Sequence, residues 1–216
     1  MTKNSEELEG LIAKMLRPLK GIKLNLAIEG LTGYQVIEFN NKDEKDKEIL
    51  DLLVTVANNV KHKVNSKGIK RTRPNEVGND IEPIVKKELL NKELIADTPK
   101  AKNGSKKSTG YPDLEFKDNY TRWHYLECKT YNIDNVGTTQ RSFYLSPSDN
   151  FKITRTAHHF AISFEIYVEK RVGNKNLYKV NGWKIIDLSN LELDVKHEFN
   201  SDNKRLYDDE LVLASD

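Results

Sequence analysis

The sequence predicts a mixed α/β fold. Three observations carry this: helical periodicity near the N-terminus, an aromatic and β-branched run at mid-chain after a further helix, and a second pair of alternating runs toward the end. A chain of 216 residues suits one domain with a real core. We read residues 1–216 as that domain, with a helical part over 1–60, a central part over 75–160, and a hairpin with an acidic tail over 161–216.

From Ser5 to about Lys20, apolar residues Leu8, Leu11, Ile12, Met15, Leu16 and Leu19 recur at helical spacing, with Ser5 as N-cap and Glu6 and Glu7 in the first turn. Gly21 to Asn41 stays ambiguous between helix and strand. A second helix is expected from about Asp43 to Val60, with Leu50, Leu53, Val54 and Ala57 on one stripe. Between Lys61 and Arg73 lie six Lys or Arg and no acid, and Lys100 to Lys107 adds four lysines, blocks able to track a phosphate backbone. A third helix is expected near Asp80 to Lys92, because Pro83 is tolerated in a first helical turn. Pro99 to Thr109, rich in Lys, Ser, Gly and Asn, reads as a loop.

Asp113 ends a short segment, Asp118 and Asn119 punctuate a turn, and Thr121 to Tyr131 reads as the second strand of a β-hairpin. Strand alternation puts Trp123, Tyr125, Glu127, Lys129 and Tyr131 on one face and His124, Leu126, Cys128 and Thr130 on the other. A polar loop follows, then a strand over Ser142–Leu145, a turn over Ser146–Ser148, and a short helix over Phe151–Phe160 carrying Lys152 and Arg155. Ala161–Glu169 and Leu177–Leu188 form a second hairpin around Gly173 and Asn174.

Composition excludes several classes. No apolar run approaches a membrane span and the N-terminus is no signal peptide, so we expect a cytoplasmic protein. A single cysteine, Cys128, rules out an internal disulfide and a thiolate cluster, and fits core packing. His158 and His159 point different ways as sequence neighbours and have no further ligands nearby, so packing is favoured over zinc.

The chemistry concentrates on the first hairpin. Two carboxylates converging on one spot repel unless a cation lies between them, and oxygen-only ligation suits a hard ion such as Mg²⁺. Asp113 and Glu127 would be its ligands. Lys129 beside them can orient a water or stabilise negative charge building on a phosphate.

Pro112-Asp113 and Glu127-Cys128-Lys129, with thirteen residues between the two acids, resemble the PD-(D/E)xK nuclease superfamily, and within it the type II restriction endonucleases. The resemblance implies a restriction-endonuclease-like fold, a central mixed β-sheet flanked by helices, here with added N-terminal helices. It further implies Mg²⁺-dependent, sequence-specific cleavage of double-stranded DNA by a homodimer, with 5′-phosphate ends. The part over 75–160 then becomes the catalytic core and DNA-reading loop. In that superfamily the helix before the hairpin often supplies another acid, which we assign to Glu82, with Glu76 as competitor. The DNA-contacting set is Lys70, Arg71 and Arg73 from the basic block, Asn132, Asn135, Thr138, Thr139, Gln140 and Arg141 after the catalytic strand, and Lys152. Two alternatives remain open: a nuclease of the same superfamily that reads DNA structure, and a DNA-binding module without activity.

Overall fold

The computed structural model describes residues 3–15, 19–132, 137, 142–196, 205 and 210–211. The chain forms two compact units, residues 1–22 with 192–216, and residues 23–191.

The smaller unit contains helix α1 (Lys3–Met15), whose Leu8, Leu11 and Met15 stay exposed. Leu19 and Lys20 lie outside the helix. The Val195 N–H donates to the Leu19 carbonyl at 2.8 Å, and the Gly21 N–H donates to Asp194 Oδ1 at 3.1 Å.

The larger unit follows the short strand β1 (Ile22–Lys23) with α2 (Leu24–Thr32), which resolves the ambiguous stretch. Leu24 and Ile28 bury one turn apart, and Gly33 ends the helix at φ 76, a left-handed C-cap that glycine adopts without penalty. β2 (Val36–Ile37) comes next. α3 (Glu44–Lys67) starts where expected, and Asp43 proves to be its N-cap, with Oδ1 accepting from the Lys45 N–H at 2.8 Å. Its buried residues Ile49, Leu53, Val56, Ala57, Val60 and Val64 keep the 3–4 spacing of a core-facing stripe. That stripe continues past the expected end at Val60, so Lys61, Lys63 and Lys67 sit on the helix and not in a loop.

β3 (Ile69–Arg71) and a 3₁₀ turn (Pro74–Glu76) lead into α4 (Val77–Leu90). The helix therefore starts before the expected Asp80 and stops short of Lys92, with Pro83 in its interior. Proline there forgoes one backbone bond, which the buried stripe Val77, Ile81, Val85 and Leu89 outweighs. β4 (Ile95–Asp97), β5 (Leu114–Lys117), β6 (Trp123–Tyr131), β7 (Ala157–Val172) and β8 (Lys175–Asp187) follow in the larger unit, and β9 (Glu192–Leu193) belongs to the smaller one.

The main sheet runs β3-β8-β7-β6-β5-β4, with β2 alongside β7. Within it β6 pairs with β7 in parallel and β2 with β7 in parallel, while β3–β8, β4–β5, β5–β6 and β7–β8 are antiparallel. It is the curled mixed sheet with flanking helices that the resemblance implies. Both hairpins are present: β5 meets β6 from Leu114↔Leu126 to Lys117↔Trp123, and β7 meets β8 around Gly173 at φ 63. Leu114, Phe116, Leu126, Phe160, Ile162 and Phe164 face α3 and α4 in one core. Burying each such side chain contributes roughly 1.5–3 kcal/mol.

Two expected elements are absent. Residues 151–156 are irregular and β7 begins at Ala157, so no helix covers Phe151–Phe160. Backbone pairing of His158 with His124 and of Phe160 with Leu126 overrides the local helical pattern. Ser142–Leu145 is not a strand, because β6 already has β5 and β7 on its two edges.

Candidate active site

Asp113 stands immediately before β5, after a cis Tyr111–Pro112 peptide. Its Oδ2 accepts the Cys128 N–H at 2.8 Å, which fastens the carboxylate beside the middle of β6. The neighbouring Glu127 is 4% exposed. Its Oε1 accepts from Lys129 Nζ at 2.6 Å, while Oε2 is buried without a hydrogen-bond partner. Burial first, and then the charge of Asp113, push the Glu127 carboxyl up to about 7, against the opposing pull of Lys129.

The strand alternation expected for β6 accounts for this pairing. Glu127 and Lys129 share a face two residues apart, while Leu126 and Cys128 enter the core. Tyr125 joins the Glu127 face: its hydroxyl accepts the Thr154 N–H at 2.9 Å, and its ring lies 4.9 Å from His159.

Two more charged groups face these acids. Glu82, half-buried on α4, has its carboxyl raised by burial and then by Asp113, with Lys152 and Lys86 acting the other way. Lys152, only 4% exposed, is lowered by burial while Asp113, Glu127 and Glu82 oppose that shift. Its Nζ donates to the Lys107 carbonyl at 3.4 Å. Sequence reading placed Lys152 on a helix pointing to DNA.

The donor set suits one hard cation. An orphaned, buried carboxylate oxygen beside a second carboxylate is the arrangement a divalent ion relieves. Among the described residues no group of three or more His, Cys, Asp or Glu forms a ready cage, so water or phosphate oxygens would complete the shell, as Mg²⁺ prefers.

Glu76 is engaged elsewhere. Its Oε2 accepts from the N–H groups of Thr72 at 3.2 Å and Arg73 at 3.1 Å, capping the turn before α4. Arg71 is gripped by Asp80 through two bonds of 2.7 Å. Lys70 and Arg73 are exposed, as is Asn132 at the end of β6. Asn135, Thr138, Thr139, Gln140 and Arg141 lie outside the described residues. The rest of the basic block is partly spent within the fold, since Lys61 donates to the Asn181 carbonyl and Lys63 pairs with Glu88.

His124, His158 and His159 are buried, and packing is the role the sequence favours for the last two. His159 Nδ1 meets the Tyr111 hydroxyl at 2.6 Å, and burial lowers His159 to about 3 and His124 to about 4. Cys128 is buried, and burial pushes its thiol well up. The hairpin turn is clamped by an element no local motif announced. Arg122 bonds Asp118 at 2.8 Å and Asp46 of α3 at 2.7 Å, and His158 Nε2 lies 3.4 Å from the other Asp46 oxygen.

Among the described residues no helix is long and apolar enough to cross a membrane. The sequence profile of a family described as "Type II restriction enzyme MjaV family" matches residues 19–210. A relative, the "Type II restriction enzyme MjaV" of Methanocaldococcus jannaschii, is 38% identical over 223 residues, spanning 96% of this chain and 94% of its own. No solved structure gives a significant match.

Proposed function

The chain belongs to the MjaV family of type II restriction enzymes, and from that premise we propose that Asp113, Glu127 and Lys129, with Glu82, are its DNA-cleaving site. The supporting observation is the buried, partnerless Glu127 oxygen beside Asp113, with Lys129 on the same carboxylate.

Asp113 and Glu127 would hold Mg²⁺, and Glu82 stands near enough to Asp113 to feel its charge. When bound, the ion supplies Lewis-acid polarisation of the scissile phosphate and a more acidic water. Asp113 keeps its place through the Cys128 N–H, so the ligand set depends on β6 staying paired to the segment before β5. Lys129 Nζ, part exposed, is held by Glu127 Oε1 where it can approach a phosphate oxygen and stabilise charge that builds there. In-line attack by water on phosphorus breaks the P–O3′ bond and leaves a 5′-phosphate and a 3′-hydroxyl.

Lys70 and Arg73 are exposed cations suited to phosphates, and Asn132 begins the polar segment that carries Asn135, Thr138, Thr139, Gln140 and Arg141. Arg71 belongs to this set through position, with its guanidinium oriented by Asp80. A C₂ homodimer would match a palindromic site. The lone buried Cys128 accords with a reducing cytoplasm.

The test is incubation of the purified protein with long, sequence-diverse duplex DNA, in Mg²⁺ or EDTA, with Lys129→Ala as control. Discrete fragments that require Mg²⁺ and vanish in the variant are expected, and sequencing their ends gives the site. A smear would replace site-specific cleavage with a structure-directed or nonspecific nuclease. Intact DNA across divalent metals would remove the catalytic reading.

A further inference from the structure

We propose that Arg155 clamps a phosphate of the DNA strand lying across the cleavage site, held in place for it by the Trp123 ring and by Glu115. Its position relative to the cut rests on the cleavage-site reading above, whereas the contact itself does not.

Two other arginines of the fold are satisfied by carboxylates. Arg71 gives two bonds of 2.7 Å to Asp80, and Arg122 bonds Asp118 at 2.8 Å and Asp46 at 2.7 Å. Arg155 is held differently. Its guanidinium carbon lies over the Trp123 ring, 4.1 Å from the ring centre, and its Nη2 stands 3.6 Å from Glu115 Oε2. The first contact uses the face of the guanidinium and leaves its edge N–H groups available. The second is an ion pair too long for a hydrogen bond, so the buried Glu115 Oε2 has no hydrogen-bond partner. Among the described residues Arg155 thus makes no hydrogen bond, and its side chain is 36% exposed. A guanidinium that is oriented yet unsatisfied presents a planar fork, which matches the oxygens of a phosphate.

The backbone on either side of Arg155 is fixed. The Thr154 N–H donates to the Tyr125 hydroxyl at 2.9 Å, and Thr156 Oγ1 accepts the Gln35 N–H at 3.1 Å. Trp123, Tyr125 and Glu127 alternate onto one face of β6, so Arg155 stands over the end of that face opposite Glu127. The separation along the strand is roughly 13 Å, a span of a few nucleotides at the ~3.4 Å rise of one DNA strand. The surroundings favour a polyanion. Lys117, the register partner of Trp123, lies 5.9 Å from the same ring; Lys86 and Lys106 both pair with Asp97; and Lys100 bridges to Lys106. With Arg155 these cations outnumber Asp97 and Glu115, and the edge of the sheet is net positive.

The test is DNA binding in Ca²⁺ at the mapped site, read by fluorescence anisotropy, with duplexes carrying a neutral methylphosphonate at one position at a time. Arg155→Gln should weaken binding roughly tenfold and reduce the salt slope by about one. Neutralising one phosphate within a few nucleotides of the cut should weaken wild type by a similar factor and leave Arg155→Gln unaffected, the coupling that a direct contact gives. An arginine that serves only to neutralise Glu115 would behave otherwise, since its replacement would have no effect in a Glu115→Gln background. Here the tenfold loss and the slope change should persist between Glu115→Gln and Glu115→Gln/Arg155→Gln. That pair also decides the matter if Arg155→Gln alone fails to fold. An unchanged slope, additive effects at every phosphate, or a loss that disappears in the Glu115→Gln background would each overturn the proposal. So would coupling confined to phosphates remote from the cut while Asp113→Asn is inactive. Coupling in a protein whose Asp113→Asn variant still cuts would remove the cleavage-site assignment and leave the clamp standing.

Discussion

Replacing Glu127 by glutamine should stabilise the metal-free protein above neutral pH while removing its activity. The Glu127 carboxyl is pushed from 4.5 to about 7 by burial and by Asp113. A raised carboxyl means the folded chain keeps a proton that the unfolded chain has released. Stability from this group is therefore full below the unfolded value, falls between that value and about 7, and is gone above it. The span corresponds to about 3 kcal/mol at 1.36 kcal/mol per unit, and Glu127 is buried enough that solvent screening removes little of it. Glutamine has no charge to bury and its oxygen can still accept from Lys129. Thermal melting in EDTA across the acid to mildly alkaline range should show Glu127→Gln gaining on wild type as pH rises, by on the order of 10 °C across the window. Saturating Mg²⁺ should cancel the wild-type slope, because a ligated carboxylate is already ionised, and below pH 7 the ion's uptake should release a proton. A constant offset between the two proteins at every pH would refute this account of the site.

Further expectations come from the same geometry. Glu82→Gln should lower cleavage by roughly tenfold to a hundredfold as a perturbed neighbour of the metal ligands, whereas Glu76→Gln should keep the rate and lose about 1 kcal/mol in urea unfolding as a weakened cap. Asp46→Asn should destabilise by about 3 kcal/mol near neutral pH, since it leaves Arg122 and His158 facing a neutral group. Burial raises the Asp46 carboxyl, but the Asn40 N–H, Arg122 and His158 more than offset it. With the net shift downward, that penalty should shrink as pH falls through the carboxylate range; a pH-independent deficit would argue against it. Lys70→Gln and Arg73→Gln should each weaken DNA binding uniformly across sequences and reduce the salt slope by about one, read by fluorescence anisotropy in Ca²⁺.

The geometry of the candidate site was legible because it is local. Period-two alternation alone places Glu127 and Lys129 on one face and Cys128 on the other, and Asp118-Asn119 marks the turn that returns the chain toward Asp113. The start of α3 near Asp43 was legible for the same reason. What escaped was decided by distant partners. His158 and Phe160 look helical in sequence and become strand because β6 offers a parallel edge. Pro83 suggested a helix start, yet α4 begins earlier, where Val77 can enter the core. Lys152 read as a surface cation because nothing within its own decapeptide reveals the acids that Asp113, Glu127 and Glu82 bring to it. Arg122 and Asp46 are separated by 76 residues, so no sequence motif could have joined them.

The most direct test of the cleavage site is Asp113→Asn under single-turnover conditions at a mapped DNA site. Asparagine keeps an oxygen for the Cys128 N–H, so the fold should survive while the charge is lost. The variant should bind DNA in Ca²⁺ within about threefold of wild type and cleave in Mg²⁺ on the order of 10³-fold more slowly. A variant that still cuts within about tenfold of the wild-type rate would place the chemistry elsewhere in the chain.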